Sequence, residues 1–99
     1  MTFLFKLTPE ASTDLFDIWN YLHLQAGIVT ADRIKNNLYK ACNNLARFPE
    51  QGHIREDITD KPVKFWTVNK YAIIYDPKSQ PVEIIRFLRW SRDISYFLN

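Results

Sequence analysis

The sequence predicts an α+β fold with the element order β-α-α-β-β-β, in which a helical hairpin packs on a mainly antiparallel four-stranded sheet. Two segments carry apolar residues at helical spacing, and three segments in the last third of the chain have the composition of strands. No linker, repeat or low-complexity stretch interrupts them, and 99 residues are enough for one hydrophobic core. We therefore expect residues 1–99 to form a single domain.

The composition excludes disordered and membrane-spanning chains. With 46% hydrophobic and 15% aromatic residues, the chain is too apolar for disorder. No apolar run is long enough to span a bilayer, and the N-terminus lacks a signal-peptide pattern. We therefore expect a cytoplasmic protein with no membrane partner. The net charge of +2 permits an acidic partner without requiring one, and the basic excess lies wholly in residues 51–99.

The first strand and the first helix are predicted before Gly27. Phe3 to Leu7 is a short apolar segment typical of a strand. Thr8 is a suitable N-cap, Pro9 fits the first helical position, and Gly27 fits the C-terminal cap. The predicted buried face of this helix consists of Ala11, Leu15, Ile18, Leu22 and Ala26. Its polar residues on other faces are interpreted as solvent-exposed: Asp14, Asp17 and Asn20.

The second helix is predicted to begin near Thr30 or Asp32, either of which is a candidate cap, and to end at Phe48 before Pro49. The connection between the two helices is short, which favours an antiparallel hairpin. The predicted buried face consists of Ala31, Ile34, Leu38, Cys42 (or Ala41), Leu45 and Phe48. A single cysteine excludes an internal disulfide, and its apolar register predicts a buried, unreactive thiol.

Three further strands are predicted, at Val63 to Val68, at Tyr71 to Tyr75 and from Val82 onward. Asn69-Lys70 is a plausible tight turn, because asparagine tolerates a positive φ. Ser91 is a candidate cap for a short C-terminal helix that ends near Leu98, with Ile94 and Leu98 facing inward.

Arginines and a tryptophan are concentrated in and just after the last strand, at Arg86, Arg89, Trp90 and Arg92. Such a surface is suited to phosphates, carboxylates or a nucleobase. Arg86 interrupts an apolar strand and therefore needs a partner or a path to water. The alternative to a functional role is structural pairing of Arg86 and Arg92 with Asp93, Glu83 or Asp57.

The loop from Pro49 to Asp57 contains His53, which has the acid–base chemistry for catalysis at neutral pH. A lone loop histidine without a nearby cysteine or second histidine is weak evidence for a metal site, so we expect neither a metal nor a cofactor. Arg55 is expected to form a local ion pair with the acids that follow it.

Three motifs, with the predicted element order, resemble the RelE/ParE superfamily of toxins from bacterial type II toxin–antitoxin systems, and the ParE branch in particular. The resemblance covers nearly the whole chain. The motifs are Pro49-x-x-Gly52-x-x-Arg55, Tyr71-x-Ile73-x-Tyr75 and Glu83-Ile84-Ile85-Arg86-Phe87-Leu88-x-x-x-Arg92-Asp93.

The two branches imply different activities. RelE-like toxins are ribosome-dependent, metal-independent mRNA endonucleases, and they typically carry an arginine after the aromatic residue of the central strand. ParE-like toxins poison DNA gyrase so that DNA breaks persist. Here the central-strand position is Ala72, which cannot donate a charge-assisted hydrogen bond to a phosphate. ParE-like chains often carry Leu-His-Gly after the arginine of the last strand, where this chain has Leu88-Arg89-Trp90.

The resemblance favours a toxin that binds gyrase through Arg86, Arg89, Trp90 and Arg92 and has no catalytic chemistry of its own. A cognate antitoxin is expected to cover Phe16, Trp19 and the sheet edge with a tail that folds on binding. The toxin alone is not expected to bind DNA, since the complex binds its operator through the antitoxin.

Two alternatives remain open. One is a RelE-like endoribonuclease with Arg86 and Arg92 as phosphate ligands, Tyr96 or His53 as the acid–base group, and Lys64 as a further contributor. The other is a degenerate, non-toxic module whose only partner is the antitoxin.

Overall fold

The computed structural model describes residues 4–99, and it confirms the predicted order of helices and strands. The four strands form one sheet in the order β1-β4-β3-β2; β1 pairs with β4 in parallel, and the other two pairs are antiparallel. The elements are β1 (Phe5–Leu7), α1 (Pro9–Ala26), α2 (Ile28–Arg47), β2 (Lys64–Val68), β3 (Tyr71–Asp76) and β4 (Val82–Arg89), with single 3-10 turns at Pro49–Gln51 and Ile94–Phe97. Phe3, predicted to begin the first strand, lies outside the described residues.

The helical hairpin turns at a single residue. The side chain of Thr8 caps α1 as predicted, since its Oγ1 accepts the Ala11 N–H at 3.0 Å. Gly27, with φ of 91°, ends α1 and at the same time precedes the first residue of α2. The prediction that Thr30 or Asp32 caps α2 is wrong. Helix α2 begins at Ile28, directly after Gly27, and has no side-chain cap; the positive φ of Gly27 allows this sharp turn.

Both faces of the sheet are covered. On one face, the two helices pack through Ala11, Leu15, Leu38 and Leu45 against the sheet. Ala26 and Phe48, each predicted on the buried face of its helix, are exposed, since Ala26 lies at the exposed turn of the hairpin and Phe48 follows the end of α2. Cys42 is buried in the same core as predicted, and burial raises the pKa of its thiol to about 12. A sheet buried on both faces explains why all residues of β3 up to Tyr75 are apolar and buried.

The second face is covered by the loop before β2 and by the C-terminal segment. Ile58, Ile94 and Leu98 pack there against strand residues such as Phe65 and Ile74. The predicted C-terminal helix is only a 3-10 turn, and Ser91 does not cap it; its Oγ instead accepts the Asp93 N–H at 3.3 Å. The inward positions of Ile94 and Leu98 are as predicted.

The turn at Asn69 has the predicted positive φ, at 55°.

No helix within residues 4–99 is both long enough and apolar enough to cross a membrane.

Candidate functional site

The outer edge of β4 is covered by α1 where β1 ends. Strand β1 pairs with β4 only as far as Ile84. Beyond that point, Thr8 donates its N–H to the carbonyl of Ile84 at 3.0 Å and its hydroxyl to the carbonyl of Ile85 at 2.7 Å. Asp14 then accepts the N–H of Phe87 at 3.1 Å. The N-cap residue of α1 and a side chain in its first half thus pair with β4 groups that lie beyond the reach of β1.

A β-bulge in β4 at the same place determines the position of Arg86. Ile84 lies opposite Tyr75, but Arg86 lies opposite Ile74, so Ile85 is an additional residue in β4. Arg86 donates from Nε to one carboxylate oxygen of Asp14 at 2.6 Å and from Nη2 to the other at 2.9 Å. Its Nη1 donates to the carbonyl of Phe97 at 3.1 Å. The hydrogen bonds that Arg86 donates to Asp14 raise the pKa of its guanidinium, which stays charged.

This geometry corrects two predictions. Asp14 is not a solvated residue, since its side chain is 13% exposed and pairs with Arg86. The partner of Arg86 is none of Asp93, Glu83 and Asp57, because α1 rather than the following loop runs beside the bulge. Arg55 does form the expected local pair with Asp57, through two hydrogen bonds of 2.9 and 2.8 Å.

Trp90 is half-buried rather than displayed on the surface. Its ring stacks on Phe65 at 5.9 Å between centroids, and the guanidinium of Arg55 lies 5.3 Å from its centroid. Its indole N–H donates to the hydroxyl of Thr67 at 3.0 Å. Trp90 therefore belongs to the second core and fixes the backbone on which the neighbouring arginines lie.

Three exposed cations lie at this end of the sheet, and we call Lys70, Arg89 and Arg92 the basic end. Arg89 is the last residue of β4 and lies opposite Tyr71 in register. Lys70 precedes Tyr71, and its carbonyl accepts the Trp90 N–H at 3.0 Å. The sequence prediction missed Lys70; the register of β3 with β4 is the signal that would have placed it there.

The residues of the nuclease alternative are not joined in one constellation. Arg86 is bound to Asp14, and Arg92 is exposed after β4. Tyr96 is 81% exposed and meets the Phe97 ring edge-on at 5.5 Å between centroids. Among residues 4–99, no hydrogen bond or ion pair links the side chains of Arg86, Arg92 and Tyr96. Ala72 is fully buried in the second core, where an arginine would have no room.

His53 has a structural position. Its backbone N–H and carbonyl pair with those of Phe65 at 2.9 and 2.8 Å, and its ring stacks on Trp66 at 6.2 Å. Lys64 lies 3.5 Å from a carboxylate oxygen of Glu50. In the part of the chain that the structure describes, no three His, Cys, Asp or Glu side chains are grouped so that they could hold a metal.

The two helices enclose an apolar groove beside β1. We call it the hairpin groove; it is lined by Leu7, Ser12, Leu15, Phe16, Trp19, Lys35 and Tyr39, and its volume is about 270 Å³. Phe16 is 64% exposed. Trp19 is half-buried and held in place, since its indole N–H donates to Asp32 at 2.8 Å and its ring packs on His23 at 5.0 Å. The two residues predicted as antitoxin contacts thus lie on one groove.

Comparison with known families is decisive for the fold and the family. The sequence model for the ParE toxin of the type II toxin–antitoxin system parDE matches residues 5–94. The chain belongs to the ParE toxin family. The predicted ParE-like branch of the superfamily is therefore confirmed.

A solved structure has the same fold as this ParE-family chain. The structure described as the chromosomal ParDE TA system from P. aeruginosa matches with a TM-score of 0.74 and 20% sequence identity, over 91% of this chain and 98% of that chain. Among curated proteins, no match to the chain was found.

In this ParE-family toxin, the structure explains residues of two sequence motifs, Pro49-x-x-Gly52 and Tyr75. The hydroxyl of Tyr75 donates to the carbonyl of Pro49 at 2.7 Å and accepts the N–H of Gly52 at 3.0 Å. A Cβ at Gly52 would collide with that hydroxyl, so this close approach requires glycine. Pro49-x-x-Gly52 and Tyr75 therefore fix the loop after α2 to the sheet.

Proposed function

We propose that this ParE-family toxin acts by binding DNA gyrase, so that DNA breaks persist, and that a cognate antitoxin neutralises it. The observation that carries the proposal is the family match over residues 5–94. These partners imply action in the cytoplasm and growth arrest when the toxin is free.

Binding rather than catalysis is favoured by the environment of the candidate groups. Arg86 contacts a carboxylate and a carbonyl, and it is 23% exposed, so its hydrogen-bonding capacity is largely used inside the fold. Ala72 stands where RelE-like nucleases typically carry arginine, and it is buried. We infer that Arg86 and Trp90 hold the end of β4 in position for target binding, and that the exposed Arg89 and Arg92 make the contact.

The hairpin groove is the proposed antitoxin site. Phe16 offers exposed aromatic surface beside an apolar floor that includes Leu15, and Lys35 adds a cation to the groove. Helix α2 carries four basic residues and one acidic residue. An amphipathic helix with an apolar stripe and acidic flanks is the complementary partner. Folding of a disordered tail on this surface would bury a large area and permit tight neutralisation.

The test is gyrase-dependent supercoiling and DNA cleavage with the purified chain, beside a translation assay. Inhibited supercoiling with accumulated cleaved DNA and normal translation supports the proposal. Cleaved mRNA with unaffected gyrase would replace it with the nuclease alternative. If neither process is affected, the proposal is wrong, and a non-toxic binding module is the remaining alternative.

A pair of variants tests the contact residues in the same assay. Arg89→Ala with Arg92→Ala should abolish most of the gyrase inhibition. Arg47→Ala with Lys78→Ala removes the same charge from exposed positions elsewhere and should leave inhibition unchanged. Full inhibition by the folded Arg89/Arg92 variant would rule out this contact surface.

A further inference from the structure

The two ends of the sheet differ in charge. The basic end holds Lys70 in the β2–β3 turn, Arg89 at the end of β4 and Arg92 just beyond it. At the opposite end, Asp76 and Glu83 face each other in the register of β3 with β4. That end also holds Lys6 and Lys64, so its charges are mixed, whereas the basic end groups three cations, which raises the local positive potential there.

The cations of the basic end are exposed and are not neutralised within residues 4–99. All three side chains are solvent-exposed, and the ion pairs of that range involve other cations: Arg55, Lys64 and Arg86. Asp93, which follows Arg92 in the sequence, is exposed, and the carboxylate of Asp57 is bound by Arg55, whose guanidinium lies against the Trp90 ring. No ion pair of residues 4–99 therefore neutralises Lys70, Arg89 or Arg92.

The aromatic side chains of the basic end are packed into the fold. Interfaces between proteins are typically centred on aromatic anchors that enter a pocket of the partner. Two aromatic residues lie at the basic end, and neither projects toward a partner: Tyr71 is buried, and Trp90 packs on Phe65 and donates its indole N–H to Thr67. Surfaces that bind nucleic acid are more polar and more positively charged, and their cations contact phosphates.

We propose that Lys70, Arg89 and Arg92 contact the phosphodiester backbone of the DNA that gyrase holds. The proposal rests on gyrase as the target and adds a second partner at the same site. Three phosphate contacts make log K fall against log salt with a slope of about −2.7, which is a loss of affinity of about 40-fold between 50 and 200 mM salt. So few contacts hold free DNA weakly, but they become effective when gyrase keeps the DNA beside the bound toxin.

The experiment measures binding of the labelled chain to gyrase, with and without a duplex DNA fragment, over a series of salt concentrations. The test variant is Lys70→Gln/Arg89→Gln/Arg92→Gln. The matched control is Lys6→Gln/Arg47→Gln/Lys78→Gln, which removes the same charge from exposed positions outside the basic end. A further variant, Arg89→Lys/Arg92→Lys, retains the charge.

The wild-type chain should bind the gyrase–DNA complex about tenfold or more tighter than gyrase alone at 50 mM salt, with the steeper salt dependence confined to the DNA-bound form. The test variant should lose most of this difference, so that its affinity falls further for the gyrase–DNA complex than for DNA-free gyrase. The control and the lysine variant should keep most of it. Circular dichroism verifies that each variant is folded.

Three outcomes overturn the inference, and they are distinguishable. Equal wild-type affinity with and without DNA removes the DNA contact but leaves gyrase as the target. Equal loss of affinity for both forms in the test variant assigns the cations to an acidic protein surface instead. Absence of wild-type binding to gyrase in either form overturns the proposed function and the DNA contact together.

Discussion

Asp14 and Arg86 connect the first helix to the last strand across 72 positions of the sequence. One carboxylate oxygen of Asp14 accepts the Nε–H of Arg86 at 2.6 Å and the N–H of Phe87 at 3.1 Å, and the other accepts from Nη2 of Arg86 at 2.9 Å. The remaining nitrogen of the guanidinium donates to the carbonyl of Phe97. A single ion pair thus fixes α1, β4 and the C-terminal turn relative to one another.

Asp14→Asn should lower the free energy of unfolding by about 2–3 kcal/mol, because it leaves a largely buried guanidinium without its counter-ion. This is less than the cost for a fully buried pair, since the two side chains are 13% and 23% exposed. Urea denaturation measures the change. Asp17→Asn, at an exposed position of the same helix, should alter stability by no more than about 0.5 kcal/mol. If the two variants are equally stable, the Asp14–Arg86 pair contributes nothing to stability.

The helical hairpin and the order of helices and strands along the chain could be predicted from periodicity, because burial imposes that periodicity directly. Leu15, Leu38 and Leu45 recur at helical spacing, and all three are buried against the sheet. The start of α2 could not be predicted in the same way. Gly27 serves both helices through its backbone conformation, whereas the sequence offers Thr30 and Asp32, whose side chains only resemble caps.

The site was predicted less completely, because its partners are distant in the sequence. Asp14 has the spacing of a solvated helix residue, and nothing near it in sequence indicates that α1 passes beside the bulge in β4. Trp90 follows an arginine and precedes a polar turn, which is typical of a surface position. Its burial depends on Phe65 and Thr67 of β2, a strand that comes near the end of β4 only once the sheet has formed with β3 between them.

Gly52→Ala should destabilise the fold by about 1–3 kcal/mol, because its Cβ would displace the Tyr75 ring from a closely packed position. Tyr75→Phe removes the hydroxyl bonded to Pro49 and Gly52 and should cost about 1–2 kcal/mol. In the double variant the hydroxyl that obstructs the new methyl group is absent, so the combined loss should be smaller than the sum. Thermal denaturation of the four proteins measures the coupling. Strict additivity would show that the two residues do not constrain each other.

Cys42 should be unreactive toward iodoacetamide at pH 8 in the native protein and reactive in urea, because burial raises its pKa to about 12. The folded-state pKa lies above the ordinary value of 9.0, so the native state binds a proton that the unfolded state releases. This contribution to stability is complete below pH 9 and is lost as the pH rises toward 12. The decline in stability from pH 9 upward should therefore be shallower in Cys42→Ala than in the wild type. Rapid native-state alkylation at pH 8 would contradict the burial of this thiol.

Phe16→Ala should weaken binding of the cognate antitoxin by about tenfold or more, because it removes an exposed ring at the centre of the proposed hairpin groove. The unfolding free energy should change little, since the ring is 64% exposed. Lys35→Glu should weaken the same complex by opposing an acidic flank of the antitoxin helix, and more so at low salt.

Phe48→Ala is the matched control for Phe16→Ala, because it removes another exposed phenylalanine, 54% accessible, that lies outside the groove. Isothermal titration calorimetry of each variant with the antitoxin encoded beside the toxin measures the change in affinity. Antitoxin affinity that falls equally in the Phe48 and Phe16 variants would remove the hairpin groove as the specific site. Unchanged affinity in the Phe16 and Lys35 variants would instead direct the search to the free edge of the sheet, where an added strand could pair with the backbone.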